Sequence, residues 1–246
     1  MRVNLEIRSW IFLSHASADL PVVRKIRNYL EDQGAAPLMF HLLALKDPEE
    51  FWPIIRREIE TRNFFLLCDS PAARKSDWVR REKEAVDKLR AFKPVRVERI
   101  DITSGKMDET TLDALDELVR KTRVFLYYNV PFRQMIEPYQ VFMEEAGFEV
   151  SDISPRNFFL NDSVEEEVSV EEMLKKRFIV YFCYSGQDRM MSPLDDALMS
   201  ASDRAIFVFL DEPPIDHPGL NSPRVVRAWE DEINAPNELI RIMMSD

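Results

Sequence analysis

The stretch FFLLCDSPAARKSDWVRRE, residues 64–82, predicts a strand, a short loop and a helix, in that order. Phe64 to Cys68 is a continuous apolar run, which is typical of a strand that is covered on both faces. Ser76 begins the helix, because serine favours the position that caps the first free amides. Helical spacing predicts that the inward face of this helix comprises Trp78, Glu82, Ala85, Val86 and Leu89.

Similar elements precede and follow this stretch. Trp10 to Leu13 is apolar, and a helix that Asp19 is expected to cap ends at Gly34. The other expected elements are a strand at 37–40, a helix that starts at Asp47-Pro48, a strand at 94–100 and a helix through Leu112 to Val119. Alternating strands and helices predict an α/β fold, with a parallel sheet and helices on both faces.

The second half of the sequence repeats the first. Three pairs of segments match in order: 11–14 with 124–127, 62–70 with 177–185, and 95–101 with 205–211. The second match aligns Cys68 with Cys183. Ordered matches whose offsets shift only in loops indicate a duplicated fold. We therefore predict two tandem domains, residues 1–121 and 122–246, and two buried free cysteines, one in each sheet.

Composition excludes several classes of function. A formal net charge of −11 disfavours nucleic acid as a partner, since phosphate binding needs clustered Lys and Arg. The five glycines are too scattered for a phosphate-binding loop, and the three histidines lack the spacing of a zinc site, so no metal is expected. No apolar run is long enough to span a bilayer and no secretory signal is present. These features predict a cytoplasmic protein that does not engage a membrane.

Glu82 is the candidate functional residue. It is the one charge on the inward face of its helix, whereas Arg80 and Arg81 are expected to point elsewhere. Its helix is entered from the carboxyl end of a strand, where parallel sheets bind ligands. A carboxylate on an apolar face must be paired, desolvated or functional. The pattern alone leaves open whether Glu82 is catalytic or a buried structural partner.

Two motifs carry a resemblance to a known family. FLSHASAD, residues 12–19, resembles the first strand and loop of bacterial TIR (Toll/interleukin-1 receptor-like) domains. Residues 64–82 resemble their third strand and the helix with the WxxxE signature, here Trp78 to Glu82, and residues 40–51 have the length of the family's BB loop. The resemblance implies a flavodoxin-like α/β fold for the first domain, with the second domain as a degenerate copy.

The resemblance also implies a chemistry. Some TIR domains cleave nicotinamide from NAD+, and the glutamate of WxxxE, here Glu82, is their catalytic residue. NAD+ is then the substrate and no cofactor is needed. Trp78 would pack against the nicotinamide riboside, and Phe40 and Phe51 would help to wall the pocket. The loop residues that would face the dinucleotide are Ser14, His15 and Ala16.

The sequence departs from the family pattern in two places. Many enzymatic members carry an acidic residue just after the second strand and a glycine in the BB loop. This sequence has Phe40-His41-Leu42-Leu43 there, and no glycine occurs between Gly34 and Gly105. Residues 191–196, MSPLDD, replace the WxxxE signature in the second domain. We therefore expect the second domain to be non-catalytic, with a role in packing, dimerisation or partner recognition.

Three functions remain open at this level. The leading hypothesis is an NAD+ hydrolase of bacterial antiphage immunity that releases ADP-ribose or a cyclised product. The second is a non-enzymatic TIR scaffold that assembles with itself, with other TIR domains or with defence proteins. The third is a related flavodoxin-like transferase that acts on free nucleosides.

Overall fold

The computed structural model describes residues 9–40, 48–128, 133–153, 178–184, 205–215 and 217–245. The chain divides into two compact units, Met1–Val119 and Arg120–Asp246. Each unit contains one parallel sheet, and the two sheets share no strand. The α/β class with parallel sheets is therefore confirmed.

The first unit is a four-stranded sheet with the order β2-β1-β3-β4. Its strands are β1 (Trp10–Ser14), β2 (Ala36–Leu38), β3 (Phe64–Asp69) and β4 (Arg96–Asp101). Its helices are α1 (Leu20–Asp32), α2 (Trp52–Thr61), α3 (Asp77–Leu89) and α4 (Glu109–Lys121), the last of which runs past the boundary between the units. All strand pairs are parallel, and the order 2-1-3-4 is that of a flavodoxin-like sheet.

Both faces of this sheet are buried. On one face the rings of Phe12 and Phe65 stack at 5.5 Å, and α2 and α3 cover them with Ile55, Ile59 and Val86. The alternate strand residues face the other way and are also buried, which requires a second layer. That layer contains α1 and α4, since the hydroxyl of α1 residue Tyr29 donates to Asp116 of α4 at 2.5 Å. The continuous apolar run in β3 follows from this double coverage.

The helix starts agree only in part with the sequence. Ser76 caps α3 as predicted, because its side chain accepts a hydrogen bond from the Val79 amide. Asp19 stands at the N-cap position of α1 as predicted, but its side chain makes no capping hydrogen bond: its carboxylate accepts from the Ser70 hydroxyl at 2.6 Å instead. Asp47 lies outside the described residues. A 3-10 turn, Pro48–Phe51, precedes α2.

The second unit is a five-stranded parallel sheet with the order β6-β5-β7-β8-β9. Its strands are β5 (Arg123–Tyr127), β6 (Glu149–Ile153), β7 (Phe178–Cys183), β8 (Ala205–Phe209) and β9 (Val225–Arg227). Its described helices are α5 (Arg133–Glu145) and α6 (Ala235–Ser245). Nowhere in the described part of the chain is there a helix both long and apolar enough to cross a membrane.

The two units use the same turn between their first helix and second strand. Gly34 and Gly147 both have φ +87°, a conformation that glycine adopts without strain. In each case the next amide bonds back to the helix, from Ala35 to Leu30 at 2.9 Å and from Phe148 to the Met143 carbonyl at 3.0 Å. These paired bonds are those of a glycine-terminated helix end. Every residue of the second turn lies 113 positions after its counterpart in the first, so this part of the repeat extends to the backbone hydrogen bonds.

Strand register corrects the predicted alignment of the cysteines. Phe12 pairs with Phe65 in the first sheet, and its counterpart Phe125 pairs with Ile179 in the second. The third strands are therefore offset by 114 residues, not by 115, and Cys68 corresponds to Phe182 rather than to Cys183. A slip of one residue exchanges the two faces of a strand. The fourth strands differ likewise: Val97 pairs with Phe65 and Ala205 with Ile179, an offset of 108 instead of 110.

The predicted state of the cysteines is nevertheless confirmed. Cys68 lies in β3 and Cys183 in β7, and both are buried thiols that form no disulfide. Burial raises the pKa of the Cys68 thiol to about 12, because the charged thiolate would be desolvated. Cys68 therefore behaves as a small apolar side chain of the core.

Candidate active site

Glu82 is buried at the carboxyl edge of the first sheet. Its side chain projects from the second turn of α3 and is only 5% exposed. The hydroxyl of Ser14, the last residue of β1, donates a hydrogen bond of 2.6 Å to Glu82 Oε2. Ser14 itself is fully buried. The two residues are 68 positions apart in sequence, and the fold brings them together.

The loop between β3 and α3 fixes this arrangement. Ser70 follows β3, and its hydroxyl oxygen accepts hydrogen bonds from the amides of Ala72 and Ala73 at 3.1 and 2.9 Å. The same hydroxyl donates to Asp19, which ties the loop to the start of α1. Because the Ser76 cap then sets the first turn of α3, the orientation of Glu82 is determined by local hydrogen bonds on both sides of the loop.

Burial changes the acidity of Glu82. Desolvation raises the pKa of its carboxyl from 4.5 to about 7, while the Ser14 hydrogen bond acts in the opposite direction by stabilising the charged form. Within the described ranges, no cation lies at ion-pair distance from this carboxylate. Near neutral pH the group therefore exists both as the acid and as the carboxylate.

A second acid at the same edge shows the contrast. Asp69, the last residue of β3, is 3% exposed but forms ion pairs with Arg74 at 2.6 Å and with Arg99. The hydrogen bonds of Arg74, followed by those of Arg99, lower the pKa of the Asp69 carboxyl. This charge is neutralised by its own partners. Of these two carboxylates, Glu82 is the one that has no cationic partner among the described residues.

Aromatic side chains lie on the same face of the sheet as Ser14. Phe40 contacts Phe12 at 6.1 Å between ring centroids, and Trp78 contacts Trp52 at 5.8 Å. Phe51 packs against the same cluster and is partly buried. The structure thus gathers the predicted aromatic residues into one cluster beside α2 and α3. Their contact with a dinucleotide stays a prediction.

The loop after β1 holds the other two predicted residues. Nδ1 of His15 lies 3.4 Å from the carbonyl oxygen of Leu13, and the His15 ring is partly buried. The Ala16 side chain is buried and packs with Ala73 and Val79 at the start of α3. Ala16 therefore has a packing role that the sequence did not indicate. The predicted position of this loop against the dinucleotide is still a prediction.

The sequence missed Arg81. Its guanidinium carbon lies 4.1 Å from the Trp52 ring centroid and 5.4 Å from that of Trp78. Its Nη1 donates to both carboxylate oxygens of Glu49, at 2.9 and 2.7 Å. The expectation that Arg81 points away from the inward face is wrong, since its long side chain lies along the aromatic cluster. The spacing of three residues from Trp78 was the available signal.

Comparison with known proteins supports the resemblance in the first unit. The family model described as TIR domain matches residues 11–120. This span runs from β1 into the last turn of α4 and includes both Ser14 and Glu82. No curated protein matches the chain. The similarity to TIR domains is therefore confirmed for residues 11–120, while a second TIR-like copy stays a prediction.

Proposed function

We propose that the first unit hydrolyses NAD+ at the bond between nicotinamide and ribose, with Glu82 as the catalytic carboxylate. The observation that carries this proposal is the buried pair of Glu82 and Ser14 at the carboxyl edge of a parallel sheet. TIR domains include NAD+ hydrolases and scaffolds. A carboxylate whose charge is not cancelled by an arginine favours the enzyme.

One carboxylate is sufficient for this reaction. The electron pair of the C1′–N bond leaves with nicotinamide, which departs as a neutral molecule and needs no acid. Positive charge develops on C1′ and the ribose ring oxygen, and ionised Glu82 stabilises it in a site of low dielectric. Water then adds to C1′ and releases a proton, which gives ADP-ribose. Attack on C1′ by an adenine nitrogen instead would give a cyclised product.

The neighbouring residues have distinct roles in this proposal. Ser14 is a positioning residue, because its hydroxyl holds one oxygen of Glu82 and leaves the other to face the ribose. Trp78 packs against the nicotinamide riboside, and Phe40 and Phe51 form the apolar wall. The backbone of His15 and Ala16 lines the side of the pocket that faces the dinucleotide. No cofactor or metal is required.

The test is nicotinamide release from NAD+ by the purified full chain, with and without a crowding agent that promotes assembly. Glu82→Gln keeps the shape and removes the charge, so release should fall by roughly a hundredfold or more. Glu84→Gln is the matched control, because Glu84 lies on the same helix with an exposed side chain. Wild-type turnover in Glu82→Gln would refute the catalytic assignment.

A non-enzymatic scaffold is the second candidate, and one observation favours it. The hydrogen bond from Ser14 already satisfies Glu82 within the core, as it would for a purely structural acid. In that case the wild-type chain releases no nicotinamide even when it assembles. We propose bacterial antiphage immunity as the setting of either activity, with self-association or other defence proteins as partners.

A further inference from the structure

Arg81 precedes Glu82 in the sequence, and its positive charge is held in place by two aromatic rings. The rings of Trp52 and Trp78 lie 5.8 Å apart, and the guanidinium group lies over both. Contact with two indoles restricts the rotamers of a side chain that is otherwise flexible. The cation is therefore preorganised by α2 and α3, the two helices of the candidate pocket.

This cation already binds an anion. The carboxylate of Glu49, in the 3-10 turn before α2, accepts both bonds from Nη1 of Arg81. The side chains are 37% exposed for Arg81 and 67% exposed for Glu49. Ion pairs with this exposure contribute about 0–1 kcal/mol. An anion with more charge can therefore compete with Glu49 for this guanidinium group, and guanidinium groups bind phosphate with good geometry.

We propose that Arg81 binds a phosphate group of the dinucleotide, and that Glu49 occupies this place until the substrate arrives. The inference rests on the proposed function of Glu82. In a dinucleotide the diphosphate is joined to the nicotinamide ribose through one carbon, so the two groups are close neighbours. The Arg81 guanidinium lies 5.4 Å from the ring of Trp78, and Trp78 is one helical turn before Glu82 on the same face of α3, so the cation can serve the phosphate while the carboxylate serves the ribose.

A purely structural role is the competing explanation. In that role Arg81 ties the 3-10 turn at Pro48–Phe51 to α3, and its loss destabilises the unit without any preference for phosphate. The two roles make different predictions for a small anion. If Arg81 is a phosphate site, the protein binds inorganic pyrophosphate through the Arg81 cation. If Arg81 only links the turn to the helix, its loss does not change the binding of free pyrophosphate.

The first experiment measures the affinity of the full chain for inorganic pyrophosphate by calorimetry. Arg81→Gln should weaken binding at least tenfold, while Arg80→Gln, which changes a 70% exposed side chain on the same helix, should stay within twofold. Glu49→Gln should tighten binding several-fold because it removes the competitor, and Glu84→Gln controls for the change in net charge. Absent binding by the wild type, equal binding by Arg81→Gln, or weaker binding by Glu49→Gln would each overturn the proposal.

The second experiment separates this inference from the proposed function. Arg81→Gln should raise KM for NAD+ about tenfold, and it should lower kcat/KM for NAD+ about tenfold more than it lowers kcat/KM for nicotinamide riboside, which has no phosphate. An equal loss on both substrates would establish the structural role and overturn the proposal. Pyrophosphate binding that depends on Arg81, in a protein that releases no nicotinamide, would support the phosphate site and reject the hydrolase. Nicotinamide release with an unchanged KM for NAD+ in Arg81→Gln would support the hydrolase and reject the phosphate site.

Discussion

Ser14 in the first unit and Tyr127 in the second end equivalent strands but have different neighbours. The Ser14 hydroxyl donates to a buried carboxylate on α3, whereas the ring of Tyr127 contacts that of Tyr181 at 5.0 Å. Tyr181 in turn contacts Phe207 at 5.8 Å. The small side chain of Ser14 thus lies beside an acid, whereas the larger side chain of Tyr127 lies beside another aromatic ring.

This difference concerns the side chains at the strand ends and not the backbone. The turns at Gly34 and Gly147, each of which leads from the first helix of its unit into the second strand, have the same conformation and equivalent hydrogen bonds, so the backbone of this part is the same in both units. The side chains at the strand ends do not follow the backbone. Since function depends on the site rather than on the fold, we expect the reaction proposed above in the first unit, where the described residues include Ser14 and Glu82.

Apart from the effect on catalysis, the largest expected effect is on the free energy of unfolding, which the buried carboxylate of Glu82 makes dependent on pH. Its folded-state pKa of about 7 lies above the ordinary 4.5, so the folded protein holds this proton more tightly than the unfolded chain. The resulting stability is fully present below pH 4.5 and is lost as pH rises through 7. Relative to wild type, Glu82→Gln should therefore gain roughly 3 kcal/mol in unfolding free energy between pH 4.5 and pH 8.

Urea unfolding of both proteins at several pH values measures this gain. The difference between them removes the contributions of other acids, such as Asp69, whose lowered pKa has the opposite effect on stability. A parallel pH dependence in the two proteins would show that Glu82 is not desolvated as the structure describes. A stable but inactive Glu82→Gln would mean that the first unit gives up stability to keep this charge.

Much of this comparison was accessible from the sequence, for physical reasons. Buried parallel strands give continuous apolar runs, and Phe64 to Cys68 is such a run. The position of Glu82 on an inward helix face followed from helical periodicity, because the neighbours on that face are apolar. Local signals of this kind do not depend on distant residues, and so they could be recognised in one sequence.

Contacts between distant residues were not accessible. The hydrogen bond from Ser14 to Glu82 joins two elements through the register of β1 and β3, and no spacing rule gives that register. Asp19 has the residue type of a helix cap, yet its carboxylate accepts a hydrogen bond from the Ser70 hydroxyl instead of from the helix amides. Arg81 appeared to be a solvent-facing charge because helix patterns treat arginine as polar, although its stem and guanidinium pack well on indole rings.

The next effect concerns the hydrogen bond from Ser14 to Glu82. Ser14→Ala removes the hydrogen bond that stabilises ionised Glu82, so the pKa of Glu82 should rise further above 7. If the ionised form is the active one, wild-type activity rises with pH through about 7, and the midpoint should move upward in Ser14→Ala. We expect a severalfold loss at pH 7 that is partly recovered at pH 9.

Nicotinamide release measured from pH 5.5 to 9.5 gives both profiles. Ser14→Thr keeps the hydroxyl and is the matched variant, so it should restore the wild-type midpoint wherever the extra methyl group is accommodated. A loss in Ser14→Ala that is uniform over this pH range would indicate a packing defect and would remove Ser14 from the site.

A smaller effect is expected from removal of the second unit. Only Thr122 separates the end of α4 from the start of β5, and Thr122 is buried. A chain cut after Lys121 therefore loses the residues that follow the last turn of α4, where Leu118 and Val119 are buried. We expect residues 1–121 to be less stable by about 1–3 kcal/mol and less active than the full chain at equal concentration. Equal stability and turnover would show that the first unit is independent.

The smallest effect concerns residues 191–196, which replace the WxxxE signature in the second half and lie outside the described residues. Changing both Asp195 and Asp196 to Asn should leave nicotinamide release within a few-fold of wild type. The reason is that this segment has no counterpart of the signature glutamate, and that Tyr127 stands in the second sheet where Ser14 stands in the first.

The same assay used for Glu82→Gln measures this double variant, with the melting temperature as a check on folding. If Asp195 and Asp196 supplied the catalytic charge, the double variant would lose activity as steeply as Glu82→Gln while remaining folded. That result would place the reaction in the second unit and reverse the comparison of Ser14 with Tyr127. Full activity in the double variant, beside an inactive Glu82→Gln, would assign the chemistry to the first unit because the two proteins differ only in which acids are neutralised.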